Sequence, residues 1–274
     1  MGDDGVGARE QRARPLWAAA EALRYRVAAA PKLFAFFDYD GTLCDLAASP
    51  GRVRTQASAR SALRRLIESA GTRVAIVSGR PLVALRRRLP LAGLGYIGLH
   101  GLEVHVHGLH QAALIDRPAT AARVARLQSL AARFFSHRGL QCIIFENKRL
   151  ALALHTPSLP APVLRFVGGT FAELARQHGL EVITGKNVVE ARPPGLEGGI
   201  AVRRVLAGYR QALPVYVGDD ATDEDAFRAL GADGITVRVA PAGTATRARY
   251  LVHSVADVIR FIHFLADARK ERTP

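Results

Sequence analysis

The sequence has few cysteines and no long hydrophobic run. Cys44 and Cys142 are isolated from each other in a chain of 274 residues, so they give no reason to expect a disulfide. No apolar stretch approaches the roughly 20 residues that cross a bilayer. The N-terminus, Met1-Gly2-Asp3-Asp4, is acidic and has no apolar signal segment. We therefore expect a cytoplasmic protein without a membrane span.

Lysine is also scarce. Only four of the 38 basic residues are lysines, and arginine carries most of the net charge of +14. A strong excess of basic over acidic residues is one feature of nucleic-acid-binding proteins. However, the arginines are dispersed, Arg86-Arg87-Arg88 being the longest run, and aromatic residues do not alternate with them as stacking platforms. We expect no nucleic-acid partner, and a surface that attracts anionic sugar phosphates. The scarcity makes Lys148 and Lys186 candidate functional residues.

Apolar residues, in contrast, are plentiful at 49%, with 23% charged residues, which is typical of a globular chain with one large or two modest domains. An apolar run at residues 33–37 stops at Asp38 and Asp40, followed by Gly41. It predicts a buried strand of a parallel sheet, where ligands bind beyond the carboxyl ends of strands. Two carboxylates there suit Mg2+ and could serve as nucleophile and general acid for a phosphoryl group. A surface turn after a core strand explains the same residues equally well.

Two further strand ends favour the functional interpretation. Residues 74–77 end in Ser78-Gly79-Arg80, where a hydroxyl and backbone N–H groups could hold phosphate oxygens. Residues 214–217 run into an acidic cluster with five acids in the seven residues 219–225. Acids are favoured in a first helical turn, but this number exceeds what helix capping needs.

The order of these motifs resembles that of the haloacid dehalogenase-like phosphatases, and the stretches between them are similar to the trehalose-6-phosphate phosphatase family. The resemblance extends from about residue 33 to about residue 268. The matching stretches are Asp38-Tyr39-Asp40-Gly41-Thr42-Leu43, Ser78-Gly79-Arg80, Gly98-Leu99-His100-Gly101-Leu102-Glu103, Glu146-Asn147-Lys148 with His155, residues 185–193, and Gly218-Asp219-Asp220-Ala221-Thr222-Asp223-Glu224.

The resemblance implies a role for each matched residue. Asp38 would be the nucleophile and a Mg2+ ligand, and Asp40 the acid/base, with its backbone carbonyl also facing the metal. Asp219 and Asp223 would complete the metal site, Asp223 lying one helical turn after Asp219; Asp220 is either a further ligand or a helix cap. Ser78, Gly79 and Lys186 would bind the phosphate, whereas Arg80 is expected to be a structural or interface cation. The residues expected to bind the sugar are His100, Glu103, Glu146, Asn147, Lys148, His155, Glu190 and Arg192.

The fold class expected is α/β, because strands and helices alternate up to residue 100, and the resemblance implies a Rossmann-like parallel-sheet core with an inserted smaller α/β cap. The domains would be 1–32, an extension with one helix at 15–30 after a disordered start at 1–14; 33–103 with 190–274, the core; and 104–189, the cap. Residues 96–100 would form a strand ending at His100. Residues 103–106 and 111–115 would form a hairpin, and 146–149 a turn between strands 140–145 and 150–155.

The sequence departs from the family after His155, where Thr156-Pro157 replaces a basic residue, and at a second position that bears on catalysis. The family places a lysine just before a glycine at the start of a helix, where it neutralises aspartate and phosphate charge; here Gly198 stands in its place. Loss of a preorganised cation at a phosphoryl site lowers the rate strongly. Either Lys186, Arg192 or Arg203 substitutes for it, or the protein is slow, altered in substrate, or no longer an enzyme.

We therefore predict a Mg2+-dependent phosphatase that hydrolyses trehalose 6-phosphate through an aspartyl-phosphate. The sequence leaves the oligomeric state open and favours a monomer slightly. One alternative is a phosphatase for another sugar phosphate, such as a sucrose or glucosylglycerol phosphate. A second is a catalytically impaired protein that binds sugar phosphates and regulates a partner. A nucleic-acid binder is a distant third.

Overall fold

The computed structural model describes residues 13–45, 56–107, 117–156, 159–185, 188–195 and 198–271. Within them the chain forms a sheet of eight strands and a sheet of four. The strands are β1 (Arg14–Pro15), β2 (Lys32–Asp38), β3 (Thr72–Val77), β4 (Leu94–Gly98), β5 (Glu103–His105), β6 (Ile144–Asn147), β7 (Leu152–His155), β8 (Glu181–Gly185), β9 (Val188–Arg192), β10 (Ala212–Gly218), β11 (Ile235–Val239) and β12 (Tyr250–Val252). The helices are α1 (Ala20–Ala29), α2 (Ala57–Ile67), α3 (Leu82–Arg88), α4 (Arg117–Ser136), α5 (Ala161–Gln177), α6 (Gly198–Ala207), α7 (Glu224–Leu230) and α8 (Val255–Lys270).

The larger sheet has the order β1-β12-β11-β10-β2-β3-β4-β5, and its neighbours are parallel except for β4 and β5. Strand β2 lies in its middle, and its apolar side chains supply both faces. Leu33, Ala35 and Phe37 join a core with α1, α2, α3 and α8, whereas Phe34 and Phe36 join a core with α6 and α7. A strand covered on both faces has no side for polar residues, which explains the continuous apolar run. The predicted α/β class with a parallel-sheet core is confirmed.

The smaller sheet is antiparallel, with the order β6-β7-β9-β8. Helices α4 and α5 cover one of its faces, where Leu152 and Leu154 of β7 are buried. Because side chains alternate along a strand, His155 points to the other face. The register pairs Glu146 and Glu190 with Ala153, so they share that second face. The polar side of this sheet is thus formed by three of the residues expected to bind the sugar.

Two local predictions were wrong in position. Glu146 and Asn147 belong to β6 because the register pairs Ile144 with His155, and the connection begins at Lys148, whose N–H bonds Ala151 O at 2.9 Å. Strand β4 ends at Gly98, so His100 follows it in a 3-10 turn, Leu99–Gly101. Strand β5 pairs with β4 at the edge of the larger sheet, and residues 111–115, its predicted hairpin partner, lie outside the described part.

Strand β9 continues through Arg192 and pairs with both β7 and β8. The domain boundary between residues 189 and 190 stays a prediction.

The N-terminal helix packs on the body of the protein. Arg14 and Pro15, expected to be disordered or helical, form an edge strand beside β12. A 3-10 turn (Leu16–Ala19) then leads into α1, whose Leu23 and Val27 are buried against α8. Edge strands tolerate proline because one side of their backbone makes no ladder bonds.

Cys44 is buried and Cys142 is exposed, and both are free, as the sequence predicted. Among the described residues no helix combines the length and the apolar character needed to cross a membrane.

Candidate active site

Three carboxylates converge at the carboxyl edge of the larger sheet. Asp38 ends β2, Asp219 directly follows β10, and Asp223 ends the next 3-10 turn, Ala221–Asp223. One oxygen from each lies within 4.8 Å of the others. Asp38 Oδ2 is buried and makes no hydrogen bond within the described part of the chain. Oxygen ligands in this number, with one buried oxygen unsatisfied, fit a hard divalent cation such as Mg2+.

The electrostatics of the cluster point to the same conclusion. Burial, followed by the charges of Asp223 and Asp219, raises the pKa of Asp38 well above its ordinary value. Burial and the neighbouring Asp220 raise the pKa of Asp219 to about 6. Burial raises the pKa of Asp223 to about 7, although two hydrogen bonds oppose the shift. The cluster is therefore short of positive charge, which a bound cation would supply.

The backbone around Asp38 is shaped to admit Asp219. Gly41 has a φ of +86°, and a Cβ added there would lie 2.1 Å from Asp219 Oδ2. Thr42 Oγ1 donates to Asp219 Oδ1 at 3.4 Å. Glycine at position 41 thus meets two requirements, a left-handed backbone and the close approach of a carboxylate.

Asp223 is oriented from two sides. It accepts hydrogen bonds from Tyr216 Oη at 2.8 Å and from the backbone N–H of Asp220 at 2.9 Å. Asp220 in turn accepts from the N–H of Ala221 at 2.7 Å, so it serves as the helix cap that the sequence left open. Asp223 does not lie one α-helical turn after Asp219 as predicted; a capping box folds the chain back between them.

The predicted phosphate loop follows β3, the strand next to β2. Ser78 is buried, and its Oγ accepts a hydrogen bond from the N–H of Arg80 at 3.2 Å. A Cβ on Gly79 would lie 2.6 Å from His100 Nε2, so only glycine leaves room for this imidazole. The loop therefore brings Ser78 and Gly79 to the same edge as Asp38, while Lys186 lies outside the described residues.

Arg80 spans from the phosphate loop to the loop after β2. Its Nε and Nη2 donate to the two oxygens of Asp40, each at 2.6 Å. The Arg80 side chain is 12% exposed. Burial alone would lower the pKa of Arg80, but Asp40 outweighs it and the pKa is raised. Asp40 is thus paired with a guanidinium, two residues after the candidate nucleophile.

His100 is presented by an unusual backbone. Leu99 and His100 both have positive φ values, 49° and 54°. Side chains larger than glycine rarely adopt this region, and when they do so together the conformation often belongs to a functional site. The result is an imidazole that lies against Gly79 and 3.5 Å from Glu190 Oε1 on β9.

Lys148 joins the smaller sheet to the phosphate loop. Its Nζ donates to Gly79 O at 3.0 Å and to Glu190 Oε2 at 2.5 Å. Burial alone would raise the pKa of Glu190, but His100 and Lys148 outweigh it and hold this pKa at about 2. Three of the predicted sugar-binding residues therefore lie together beside Ser78 and Gly79, with Glu190 in contact with both His100 and Lys148.

The other predicted sugar-binding residues are held by protein partners. Glu146 bonds His155 at 2.8 Å, and this contact lowers the pKa of Glu146. Asn147, on the helix side of its strand, bonds Gln128 of α4 at 2.7 Å, and Arg192 bonds Glu181 at 3.0 Å.

Glu103 accepts from the N–H of Leu82 at 2.8 Å and from Arg117 at 3.0 Å, so it caps the start of α3. Of the candidate substitutes for a lysine at 198, Arg203 is exposed and Arg192 is paired with Glu181.

Two residues of the site escaped the sequence analysis. Tyr216 orients Asp223 from within β10, and Arg238 of β11 donates to Asp220 O and, at 3.3 Å, to Glu224 Oε1. A signal for Arg238 was present, because it is the charged residue of an otherwise apolar strand. Tyr216 gave none, since an aromatic residue in a buried strand is ordinary core.

A parallel sheet with carboxylates at its carboxyl edge and a smaller α/β insertion defines the haloacid dehalogenase-like class of proteins. The sequence model of the trehalose-phosphatase family matches residues 36–252. The chain belongs to the trehalose-phosphatase family.

Individual relatives agree with this assignment. A trehalose-phosphate phosphatase of Mycobacterium marinum is 34% identical over 86% of this chain and 62% of its own length. A solved trehalose-6-phosphate phosphatase related protein is 27% identical, with a TM-score of 0.74 over 85% of this chain and 97% of its own. The Aspergillus fumigatus trehalose-6-phosphate phosphatase is also 27% identical, with a TM-score of 0.65 over 93% of this chain and 99% of its own. The chain spans less than two thirds of the length of the curated relatives that it matches.

Proposed function

We propose that this protein hydrolyses trehalose 6-phosphate to trehalose and phosphate. The observation that carries the proposal is the position of Asp38: its carboxylate ends β2, one of its oxygens is buried and unsatisfied, and Asp219 and Asp223 converge on it. The family match and the names of the relatives support the choice of substrate.

In the first step, a carboxylate oxygen of Asp38 attacks the phosphorus atom, and the bond from phosphorus to the sugar oxygen breaks. Asp40 gives a proton to the leaving sugar oxygen. Ser78 and the N–H of Gly79 hold the phosphoryl oxygens, and Lys186 is proposed to assist them. The products of this step are trehalose and an aspartyl-phosphate on Asp38.

In the second step, Asp40 takes a proton from a water molecule that attacks the phosphorus atom. Phosphate leaves and the Asp38 carboxylate is restored. A divalent cation, proposed to be Mg2+, would be held by Asp38, Asp219 and Asp223 and would neutralise charge on the phosphoryl oxygens. Tyr216 and the N–H of Asp220 donate hydrogen bonds to the Asp223 carboxylate and so orient it before a cation binds.

Residues 104–189 are proposed to act as a cap that covers the site and binds the sugar. Lys148 and Glu190 support this role because they lie on the smaller sheet yet contact Gly79 and His100 of the larger one. Glu146 and His155, on the same polar face, would offer a carboxylate and an imidazole to sugar hydroxyls. Closure of such a cap would exclude bulk water from the site.

The test is phosphate release from trehalose 6-phosphate, with Mg2+ or with a chelator, for the natural protein and for Asp38→Asn. We expect release that requires Mg2+ and is abolished by the substitution. Asp233→Asn is the matched control because it removes an exposed carboxylate outside the cluster, and it should keep full activity. Release that survives in Asp38→Asn would overturn the proposed nucleophile.

Two alternatives have their own outcomes in this assay. Release from a sucrose or glucosylglycerol phosphate, but not from trehalose 6-phosphate, would keep the mechanism and change the substrate. No release, while trehalose 6-phosphate still raises the melting temperature, would identify a binding or regulatory protein. That second alternative is motivated by Gly198, the first residue of α6, which brings no cation to the site.

A further inference from the structure

The candidate site contains more negative charge than its described cations balance. Asp38, Asp219 and Asp223 meet at one edge of the sheet, the charge of Asp40 acts on Asp38, and a phosphoryl substrate would add further negative charge. Preorganised cations are a main source of rate in phosphoryl transfer. In the described part of the chain, the side-chain cations that reach this edge are Arg80, Lys148 and Arg238.

Two of these cations are held by groups other than the proposed acid/base. Lys148 is fixed by Gly79 O and Glu190. Arg238 is fixed by Asp220 O and Glu224, which itself accepts hydrogen bonds from Thr246 at 2.7 Å and from the N–H of Arg247 at 2.7 Å.

The partner of Arg80 is different, because it is a proposed reacting group. Both oxygens of Asp40 lie in the fork of the Arg80 guanidinium. In this arrangement each Asp40 oxygen accepts one hydrogen bond from the guanidinium, which fixes the orientation of the carboxylate. Opening this contact would free Asp40 to turn toward the leaving oxygen of a substrate.

The Arg80 guanidinium also lies where phosphate is expected. Arg80 follows Ser78 and Gly79 directly, its own N–H bonds Ser78 Oγ, and its side chain reaches across to the loop after Asp38. The planar fork of arginine that fits two carboxylate oxygens fits two phosphoryl oxygens equally well. A phosphoryl group could replace Asp40 without loss of a hydrogen bond by Arg80.

We propose that Arg80 is a phosphate-binding residue that exchanges partners: it holds Asp40 in the free protein and moves its guanidinium fork to the phosphoryl group of the substrate. The exchange supplies a cation to the phosphoryl group and releases the Asp40 carboxylate, which takes up a proton from solvent and then donates it to the leaving sugar oxygen. This inference rests on the proposed phosphatase function and assigns Arg80 a role in it.

The test is the affinity for inorganic phosphate, measured by calorimetry at one fixed Mg2+ concentration. The proteins are the natural one, Asp40→Asn, Arg80→Gln and the double variant. Arg80→Gln should weaken binding by about tenfold to a hundredfold, the range for charged hydrogen bonds. Asp40→Asn frees the guanidinium and should tighten binding by about tenfold. In the double variant that gain should disappear.

The double variant separates the exchange from simple charge repulsion. If Asp40 weakens phosphate binding only by repulsion, its removal gives the same gain with or without Arg80, and the exchange is overturned. An unchanged affinity in Arg80→Gln also overturns it. Arg73→Gln is the matched control, since Arg73 is an exposed arginine on β3, and it should bind phosphate like the natural protein.

Arg80→Lys keeps the proposal testable if Arg80→Gln does not fold, as judged by its melting temperature. A lysine retains the charge without the fork, so binding should be intermediate and the gain from Asp40→Asn smaller. If Asp40→Asn tightens phosphate binding by the full amount in the Arg80→Lys protein, the exchange is contradicted. Phosphate release from trehalose 6-phosphate, assayed on the same natural protein, reports separately on the proposed function.

Discussion

Lys148, on the loop after β6, donates a hydrogen bond of 3.0 Å to the backbone carbonyl of Gly79, on the loop after β3. This contact crosses from the smaller sheet to the larger one at the phosphate loop. The same ammonium bonds Glu190, and both side chains are nearly buried, at 10% and 5% exposure. The Lys148 ammonium thus joins a contact between the two sheets to an ion pair within the smaller one.

Lys148→Met should destabilise the protein by about 3 kcal/mol, because it leaves the Glu190 carboxylate buried without its ammonium partner. Urea unfolding measures the loss. Adding Glu190→Gln should recover part of it, since the unpaired charge is then removed. Lys270→Met, which removes an exposed lysine, is the control and should cost less than about 0.5 kcal/mol. Equal effects of the two lysine substitutions would contradict the prediction.

The metal-free protein should become more stable as pH falls from about 8 to about 5. Burial raises the pKa of Asp223 to about 7 and that of Asp219 to about 6, above the ordinary value of 3.8. An acid with a raised folded-state pKa destabilises the fold when ionised, and protonation on lowering the pH removes this penalty. Melting temperatures in a chelator measure the trend.

A matched pair of variants assigns that trend to the cluster. Asp223→Asn should flatten it, whereas Asp233→Asn should leave it unchanged. Saturating Mg2+ should raise the melting temperature most at pH 8, where the carboxylates are ionised. A metal-free protein that is equally stable at both pH values in all variants would show that the carboxylates do not repel one another as the structure indicates.

Gly41→Ala should abolish Mg2+ binding, because the new Cβ would occupy the position of Asp219 Oδ2. Gly243→Ala is a close control: Gly243 has a similar φ of +82°, but a Cβ there meets nothing within 4 Å. Both variants should lose about 1–2 kcal/mol from the left-handed backbone, measured by urea unfolding. Calorimetry with Mg2+ should separate them, and equal Mg2+ affinity in the two would contradict the prediction.

Arg269→Met should destabilise the protein by about 3 kcal/mol by detaching the N-terminal helix. The Arg269 guanidinium donates to the carbonyl oxygens of Val27, Ala30 and Ala70 at 3.0, 2.6 and 2.8 Å, and its loss leaves them without this donor. Arg203→Met removes an exposed arginine and should change the unfolding free energy little. Hydrogen exchange should show faster exchange in α1 for the first variant, and protection that is unchanged there would refute the link.

The sequence by itself determined the fold class, the burial of β2 and the strand ends at which the acids lie. These features follow from local composition: an apolar run stops at Asp38, and a second stops before Asp219, whatever the rest of the chain does. Parallel strands then bring their carboxyl ends to one edge, so the convergence of Asp38 and Asp219 could be predicted without knowing a single contact.

Only the tertiary structure decided which partner each charged group has. Arg80 meets Asp40, Lys148 meets Glu190 and Gly79, and Glu103 caps α3, because segments distant in sequence pack side by side. Hydrogen bonds of this kind depend on ångström-scale positions that no local pattern encodes. The same reason accounts for the left-handed turn at His100 and for the capping box that places Asp223 beside Asp38.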